Sequence, residues 1–275
     1  MSKRNGNLSG FNKNPSAETF NIYHCCVQKT ASQWIKKILS DPVIFRGCGI
    51  PVFESQINYL YAQRELAQLQ KKTFPENNIV SPLYIRYEDF IKVKKPAKYK
   101  AFFVMRDPRD LLVSHYFSTR FSHPENPYII KERAVLSKMP EHEGLLYLIK
   151  KIRKESANMY FSMRTWHTAG KKDRNLIVCK YEDLTGGEKL YFFEKLFKHI
   201  GCEIAEDEIR WVLEKYKFKN LSGGRKQGIE DYKSHYRKGI SGDWKNYFTE
   251  DHKNAFKKEA GHLLIDLEYE KNLEW

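Results

Sequence analysis

The stretch KAFFVM-RDPRD, from Lys100 to Asp110, contains the clearest junction between a strand and a helix in the chain. Its first half is a continuous apolar run, which predicts a strand that is buried on both faces of a sheet. Asp107 then occupies the position of a helix N-cap. Pro108 follows at the first helical position, where its missing N–H costs nothing. A buried strand that turns directly into a helix is typical of an α/β fold.

Similar patterns extend outward from this junction. Apolar runs at 22–27 and 176–179 predict two more buried strands, and a run at 79–83 contains Pro82, which favours a strand end or an edge strand. Further helices are predicted at 34–39, 57–70, 142–168, 188–199, 206–216 and 251–266. The segments 120–145 and 219–247 are predicted to be loops, the first of them shaping a substrate site. The alternation predicts a single domain with a mainly parallel central sheet flanked by helices.

Composition narrows the class of protein. The chain has 275 residues, 41% of them hydrophobic, and a formal net charge of +14. This apolar content excludes a disordered chain, and no apolar run is long enough to cross a bilayer. Residues 1–20 are polar and are predicted to be a flexible segment before a domain at 21–275. The N-terminus lacks the apolar region of a secretion signal and the 5 cysteines fit no zinc pattern, so we expect a cytoplasmic protein with reduced thiols.

The segment after the first strand has the composition of an anion-binding turn. Lys29 supplies a mobile charge, and Thr30 and Ser32 supply hydroxyl groups, at a predicted helix N-terminus with unpaired N–H groups. This predicts a P-loop-like turn between strand and helix that binds phosphate. A Walker A loop would need glycines where the chain has Tyr23 and Gln28. From this segment alone, a solvated Lys at an ordinary turn is an equal alternative.

Two other segments carry cations that suit an anion. Arg106 ends the strand described first, and Ser114 lies two helical turns later, so both could contact one anion beside the helix. An ion pair between Arg106 and Asp110 is the alternative. The run from Arg237 to Asn246 begins with two cations and a glycine, which suits an anion clamp. As a charge run alone, it would be a solvated surface.

Taken together, these segments resemble the PAPS-dependent sulfotransferases of the cytosolic type. The sequence Q-K-T-A-S-Q-W at 28–34 is similar to their 5′-phosphosulfate loop, P-K-S-G-T-T-W. The segment 106–116 is similar to their 3′-phosphate motif, and 181–184 matches their Y-E-D-hydrophobic segment. The segment 237–249 matches R-K-G-x-x-G-D-W-K-N-x-F-T almost letter for letter. Four motifs in this order make the resemblance specific from about residue 20 to residue 250.

The resemblance implies transfer of the sulfuryl group of PAPS to a hydroxyl or amine of a small-molecule acceptor, without a metal. It implies that Lys29 is catalytic and stabilises the leaving product, PAP. Nucleotide-binding roles also follow from it. The 5′-phosphate would be held by Lys29, Thr30, Ala31, Ser32 and Gln33, and the adenine would pack on Trp34. The 3′-phosphate would be held by Arg106, Ser114, Arg237, Lys238 and Gly239. The nucleoside would be bordered by Tyr181 and Phe218.

Two departures from the family pattern concern catalysis. Ala31 replaces the glycine of the phosphosulfate loop, which is tolerable only if that residue has a helical φ. The family has a His as general base on the strand end after this loop, and here the segment 80–84 contains no His. His24 and His115 are expected to be packing or surface residues. Substitutes for the base by position are Glu54, Tyr84 and Glu88.

Other functions remain open from the sequence. The alternatives are a catalytically silent PAP- or PAPS-binding protein, a P-loop-type kinase and a nucleic-acid-binding protein, although the chain lacks the motifs of the last two classes. Residues 215–258 contain 12 Lys and Arg against 5 Asp and Glu, which is half of the excess positive charge. This concentration favours a funnel for a bisphosphorylated nucleotide over a nucleic-acid surface. The family's dimer signature begins at Lys245 and Thr249 but fails at Glu250 and Asn254, so no dimer is expected through it.

Overall fold

The computed structural model describes residues 19–56, 58, 60, 71, 73–153 and 157–275. The predicted flexible segment, apart from its last two residues, and nearly all of the predicted helix at 57–70 lie outside these residues. The described strands are β1 (Phe20–Cys26), β2 (Val52–Phe53), β3 (Ile79–Tyr84), β4 (Lys98–Met105) and β5 (Leu176–Lys180). These five strands form one parallel sheet in the order β2-β3-β1-β4-β5.

The central strands have apolar side chains on both faces because each face packs against its own helical layer. In β4, Phe103 and Met105 join one hydrophobic cluster, and Phe102 and Val104 join the other. The alternation follows the two-residue period of a strand. It confirms the prediction that the apolar run after Lys100 is a strand buried on both sides, in a parallel sheet flanked by helices.

The expectation that 79–83 is a strand end or an edge was wrong, because β3 lies inside the sheet between β2 and β1. The short strand β2 pairs only with Ile79 and Val80. Pro82 lies beyond that pairing, where the register between β1 and β3 shifts. A bulge tolerates proline because the ladder does not require its N–H there.

Helices cover both faces of the sheet. They are α1 (Ser32–Leu39), α2 (Pro42–Cys48), α3 (Tyr87–Phe90), α4 (Pro108–Phe117), α5 (Pro127–Leu136), α6 (Glu141–Lys151), α7 (Ala157–Gly170), α8 (Tyr181–Thr185), α9 (Lys189–His199), α10 (Glu206–Lys215), α11 (Phe218–Leu221) and α12 (Glu250–Asp266). The helices predicted at 188–199, 206–216 and 251–266 are confirmed to within a residue. The helix predicted over 142–168 is described as two, α6 and α7. No helix among the described residues is long and apolar enough to cross a membrane.

The expectation of an irregular loop at 120–145 was wrong. A π-helical turn at Ser118–Ser122 continues α4, and the helix α5 occupies the middle of the segment. Asn126 caps α5 by accepting a hydrogen bond from the backbone N–H of Ile129 at 2.9 Å, and Pro127 occupies the first turn. The proline that suggested a loop therefore begins a helix, as an N-cap followed by proline often does.

The expectation that all cysteines are reduced was also wrong, because Cys48 and Cys202 form a disulfide. The end of α2 lies against the connection between α9 and α10, where the N–H of Glu203 donates to the carbonyl of Gly47 at 3.1 Å. The two cysteines are 154 residues apart in the sequence, so only the fold reveals their proximity. The remaining cysteines are free.

Candidate functional site

The candidate site lies at the carboxyl edge of β1 and β4, where parallel sheets commonly bind ligands. These neighbouring strands end in register, with Cys26 opposite Val104. Lys29 follows the first strand and Arg106 follows the second, so the sheet itself brings them together. A nitrogen of the Arg106 guanidinium donates to the carbonyl oxygen of Lys29 at 3.2 Å.

The turn between β1 and α1 has an unusual backbone. Lys29 and Ala31 have φ angles of +67° and +62°, in the left-handed region. The helical φ on which the tolerance of Ala31 depended is therefore absent, and a left-handed conformation costs about 1–2 kcal/mol for a residue with a Cβ. Thr30 is fully buried and its hydroxyl donates to the carbonyl of Val27 at 2.8 Å, so it is engaged within the turn.

The N-terminus of α1 is open to an anion. No side chain caps it, and its first turn contains no acidic residue. The unpaired N–H groups and the positive end of the helix dipole therefore favour a negatively charged group at this point. Burial, followed by the nearby charges of Arg106 and Arg237, lowers the pKa of Lys29 to about 8. An anion placed here would reverse that shift.

Arg106 is held in place but its charge is only weakly balanced. It is 8% exposed, packs over the ring of Tyr181 at 4.4 Å and donates to the carbonyl of Ile240 at 3.3 Å. The predicted alternative, a pair with Asp110, is a 3.8 Å contact. Both oxygens of that carboxylate accept shorter bonds, from the N–H groups of Gly242 and Trp244 at 2.6 and 2.8 Å. Nε of Arg106 is buried and has no hydrogen-bond partner among the described residues.

The second pair of cations is balanced by carboxylates of its own loop. Arg237 pairs with Glu230 and donates to Asp243 at 2.5 Å, and Lys238 donates to the same Asp243 at 2.6 Å. Hydrogen bonds from Lys238, Asn246 and Arg237 outweigh burial and lower the pKa of Asp243. The positive charge of this loop is therefore partly neutralised where it faces the site.

A cavity of about 460 Å³ joins these groups to a set of aromatic rings. At one end, the indole N–H of Trp34 donates to the carbonyl of Tyr216 at 2.9 Å, which fixes the ring. Gly239 lies against Phe218 with a φ of +71°, and a Cβ there would approach the ring to 2.2 Å. Every predicted nucleotide-binding residue except Thr30 lines this cavity: Lys29, Ala31, Ser32, Gln33, Trp34, Arg106, Ser114, Tyr181, Phe218, Arg237, Lys238 and Gly239.

Of the three substitutes for the general base that the sequence offered, one lines the cavity. Glu54 pairs with Lys36 at 2.6 Å and does not line the cavity, and Glu88 is exposed on α3 away from it. Tyr84 does line the cavity, and its hydroxyl lies 2.7 Å from the Ser32 hydroxyl. Burial raises the pKa of Tyr84 to about 12, so the phenol stays protonated and cannot accept a proton at neutral pH.

Histidines that the sequence did not single out also reach the cavity. His123 and His235 line it, and each follows its own element: the π-helical turn after α4 and the loop before Arg237. No linear spacing links them to Lys29, so only the fold reveals the cluster. His24 is buried in β1, where burial lowers its pKa to about 3. Burial and the charge of Lys29 lower the pKa of His115 to about 4.

Comparison with known proteins identifies relatives of this fold. Sulfotransferase 2A2 of Mus musculus is 29% identical over 170 residues, which cover 59% of this chain and 55% of that protein, so the chain matches about half the length of this relative. A flavonol sulfotransferase-like protein of Flaveria bidentis is 22% identical over 88% of this chain and 81% of its own.

Solved structures share the fold. Mouse sulfotransferase SULT7A1 complexed with PAP has a TM-score of 0.63 at 18% identity, over 89% of this chain and 83% of its own. Retinol dehydratase in complex with androsterone and inactive cofactor PAP has a TM-score of 0.54 at 15% identity, over 89% and 80%. A family model of the sulfotransferase domain matches residues 22–267, which include all of the sheet except the first two residues of β1, and every residue lining the cavity. This chain therefore belongs to the sulfotransferase domain family.

Proposed function

We propose that the protein transfers the sulfuryl group of PAPS to a hydroxyl or amine of a small-molecule acceptor. The observation that carries the proposal is a single cavity that joins an uncapped helix N-terminus, six cations and a set of aromatic rings. A nucleotide with phosphates at both its 3′ and 5′ positions has the complementary chemistry. Two related structures contain PAP, the product that PAPS leaves behind.

The residues of the cavity fit such a nucleotide in three groups. The turn with Lys29, Ser32 and Gln33 would bind the 5′-phosphate through the N-terminus of α1. The Nε of Arg106, which has no partner within the described part of the chain, and the hydroxyl of Ser114 would contact the 3′-phosphate. Arg237, Lys238 and Gly239 would contact it from the other side. Trp34, Tyr181 and Phe218 would border the adenosine.

Transfer of a sulfuryl group resembles transfer of a phosphoryl group, because the attacking and leaving oxygens lie in line and charge spreads over the equatorial oxygens. The protein must therefore supply position and preorganised positive charge. We assign to Lys29 the stabilisation of the bridging oxygen as PAP leaves. Burial, followed by two neighbouring guanidinium groups, lowers the pKa of Lys29 in the free protein, and the same guanidinium groups attract the anionic donor.

Further proposals concern the domain bounds, the compartment, the partners and the oligomeric state. We propose a single domain over 21–275, a cytoplasmic protein, a small-molecule acceptor and no nucleic-acid partner. We also propose no dimer through the broken signature. Glu250, which replaces the family's Val, pairs with Lys253 of its own helix at 2.6 Å. Glu250 and Lys245 are both exposed.

Thermal unfolding with three nucleotides tests the proposal. PAP should raise the melting temperature more than ADP or ATP at equal concentration, because only PAP places a phosphate beside Arg106 and Arg237. The variant Arg106→Gln should lose most of this difference. Equal shifts from all three nucleotides would contradict the assignment and favour a P-loop-type kinase. A PAP-specific shift without turnover of PAPS on any phenol, alcohol or amine would instead identify a catalytically silent binding protein.

A further inference from the structure

The reaction needs a general base that takes the proton from the acceptor substrate. At the strand end where the resemblance places this base, the chain has no histidine. The strand β3 offers Tyr84 there, whose phenol is protonated and hydrogen-bonded to Ser32. A base must therefore come from another element that reaches the cavity. Among the described residues that line it, His123 and His235 are the imidazoles.

His123 has a defined tautomer. Its Nδ1 lies 3.0 Å from the carbonyl oxygen of Pro124. Because a carbonyl oxygen can only accept, Nδ1 carries the proton. In the neutral ring, Nε2 therefore holds the lone pair, and the described residues offer it no partner. This is the protonation pattern of a histidine that is ready to act as a base.

The backbone of His123 is fixed from two directions. Its N–H donates to the carbonyl of Ser118 at 2.7 Å, which closes the π-helical turn. From α5, Arg133 donates to the carbonyl of His123 at 2.6 Å and to that of Thr119 at 3.0 Å, and it pairs with Glu125 at 3.0 Å. One guanidinium therefore holds the turn that carries the imidazole. A preorganised base needs such support.

Charged side chains lie on two sides of this imidazole. Lys29 faces the same cavity, and Arg133 lies behind the turn with its charge balanced by Glu125. Burial, followed by the charge of Lys29, lowers the pKa of both His115 and His235. The rings of His115 and His235 are therefore mostly uncharged at neutral pH, and the positive charge beside them is that of Lys29.

His235 is the competing candidate and is less well placed. Its side chain lies in the cavity wall but stays accessible to solvent, and its ring makes no hydrogen bond to the described residues. The ring only meets the edge of Tyr236, with centroids 5.3 Å apart. Nothing fixes its tautomer or its orientation. It also belongs to the loop whose ordering depends on Arg237 and Asp243.

We infer that His123 is the general base of the reaction, an inference that rests on the proposed sulfotransferase function. As the acceptor oxygen forms its bond to sulfur, its proton moves to Nε2 of His123, and the O–H electron pair stays on oxygen. The bond between sulfur and the bridging oxygen breaks, and its electron pair leaves with PAP beside Lys29. The imidazolium then releases its proton to solvent.

Two phenols and three variants test this role. The probes are 2-naphthol, which is mostly protonated at pH 8, and 4-nitrophenol, which is mostly ionised and needs no base. For His123→Gln, kcat with 2-naphthol should fall by about 10²-fold or more, whereas kcat with 4-nitrophenol should fall less than about tenfold. The acid limb of the pH profile with 2-naphthol should disappear. PAP affinity should stay within about twofold, which shows that the variant is folded.

For His235→Gln, kcat with either phenol should fall by less than about tenfold. For His262→Gln, on the exposed face of α12, kcat with both phenols should match that of the wild-type protein. Equal losses on both phenols for His123→Gln, or the selective loss in His235→Gln instead, would overturn the assignment.

A readout without an acceptor separates this inference from the proposed function. In the PAP complex, ¹⁵N spectra of the histidine rings should show His123 as the Nδ1–H tautomer, and the Nε2–H tautomer would overturn the assignment. Failure of the wild-type protein to bind PAP would instead refute the proposed function.

Discussion

Binding of PAP should make the protein take up protons at alkaline pH, and Lys29 is the group that binds them. In the free protein, burial and the charges of Arg106 and Arg237 lower the pKa of this ammonium to about 8. About half of the molecules therefore have a neutral Lys29 at pH 8, about nine in ten at pH 9 and about one in ten at pH 7. A phosphate beside the ammonium favours the charged form and raises its pKa again.

The expected uptake is the neutral fraction that becomes charged on binding. It amounts to about 0.5 proton per molecule at pH 8 and about 0.9 at pH 9. The phosphates of PAP are already fully ionised in this range, because their second pKa is about 6. By linkage, the affinity for PAP should fall as pH rises above 8, approaching about tenfold per pH unit until the pKa of the bound form is reached.

Isothermal titration calorimetry in Tris and in phosphate buffer measures this uptake, because the observed heat changes with the ionisation enthalpy of the buffer in proportion to the protons taken up. Lys29→Met is the matched control. It keeps an unbranched side chain at the left-handed φ but cannot titrate, so its uptake at pH 8 and 9 should vanish. Equal uptake by the wild-type protein and this variant would refute the assignment of the low pKa to Lys29.

Two further predictions concern backbone positions of the site. Ala31→Gly removes a Cβ from a left-handed residue, so the free energy of unfolding in urea should rise by up to about 1 kcal/mol, because the greater freedom of glycine in the unfolded chain offsets part of the relieved strain; a loss of stability would contradict this. Gly239→Ala forces a Cβ against Phe218 at a positive φ and should weaken PAP binding by about tenfold or more, whereas Gly187→Ala, with open space around it, should bind PAP like the wild type. Calorimetry decides between these outcomes, and unchanged binding by Gly239→Ala would contradict the packing against Phe218.

The sequence predicted the parts of the fold that depend on local patterns. The apolar run before Arg106, with Asp107 and Pro108 after it, correctly placed a buried strand and a helix start, because burial and capping are local. The same capping rule was available at Asn126 and Pro127. In that segment the three nearby prolines favoured the prediction of a loop, although the structure contains the helix α5.

The features that the sequence missed depend on distant parts of the chain. The left-handed φ of Ala31 follows from the path between β1 and α1, not from its own preference. His123 reaches the cavity because α5 holds the turn in front of it through Arg133. The balance of Arg237 by Glu230 also required the loop to fold back on itself.

The disulfide between Cys48 and Cys202 has a topological consequence. It closes the chain into a covalent ring, and 154 positions separate its two ends. Arg106, His123 and Tyr181 lie on this ring, whereas Lys29 and Arg237 lie on the two tails that leave it. The proposed 3′-phosphate half of the cavity is thus assembled across the boundary between ring and tail, whereas the proposed 5′-phosphate half lies entirely on the N-terminal tail. A single cut anywhere in the ring leaves all of these residues in one covalent molecule, but a cut between Trp34 and Cys48, or between Cys202 and Arg237, separates a fragment that carries part of the site.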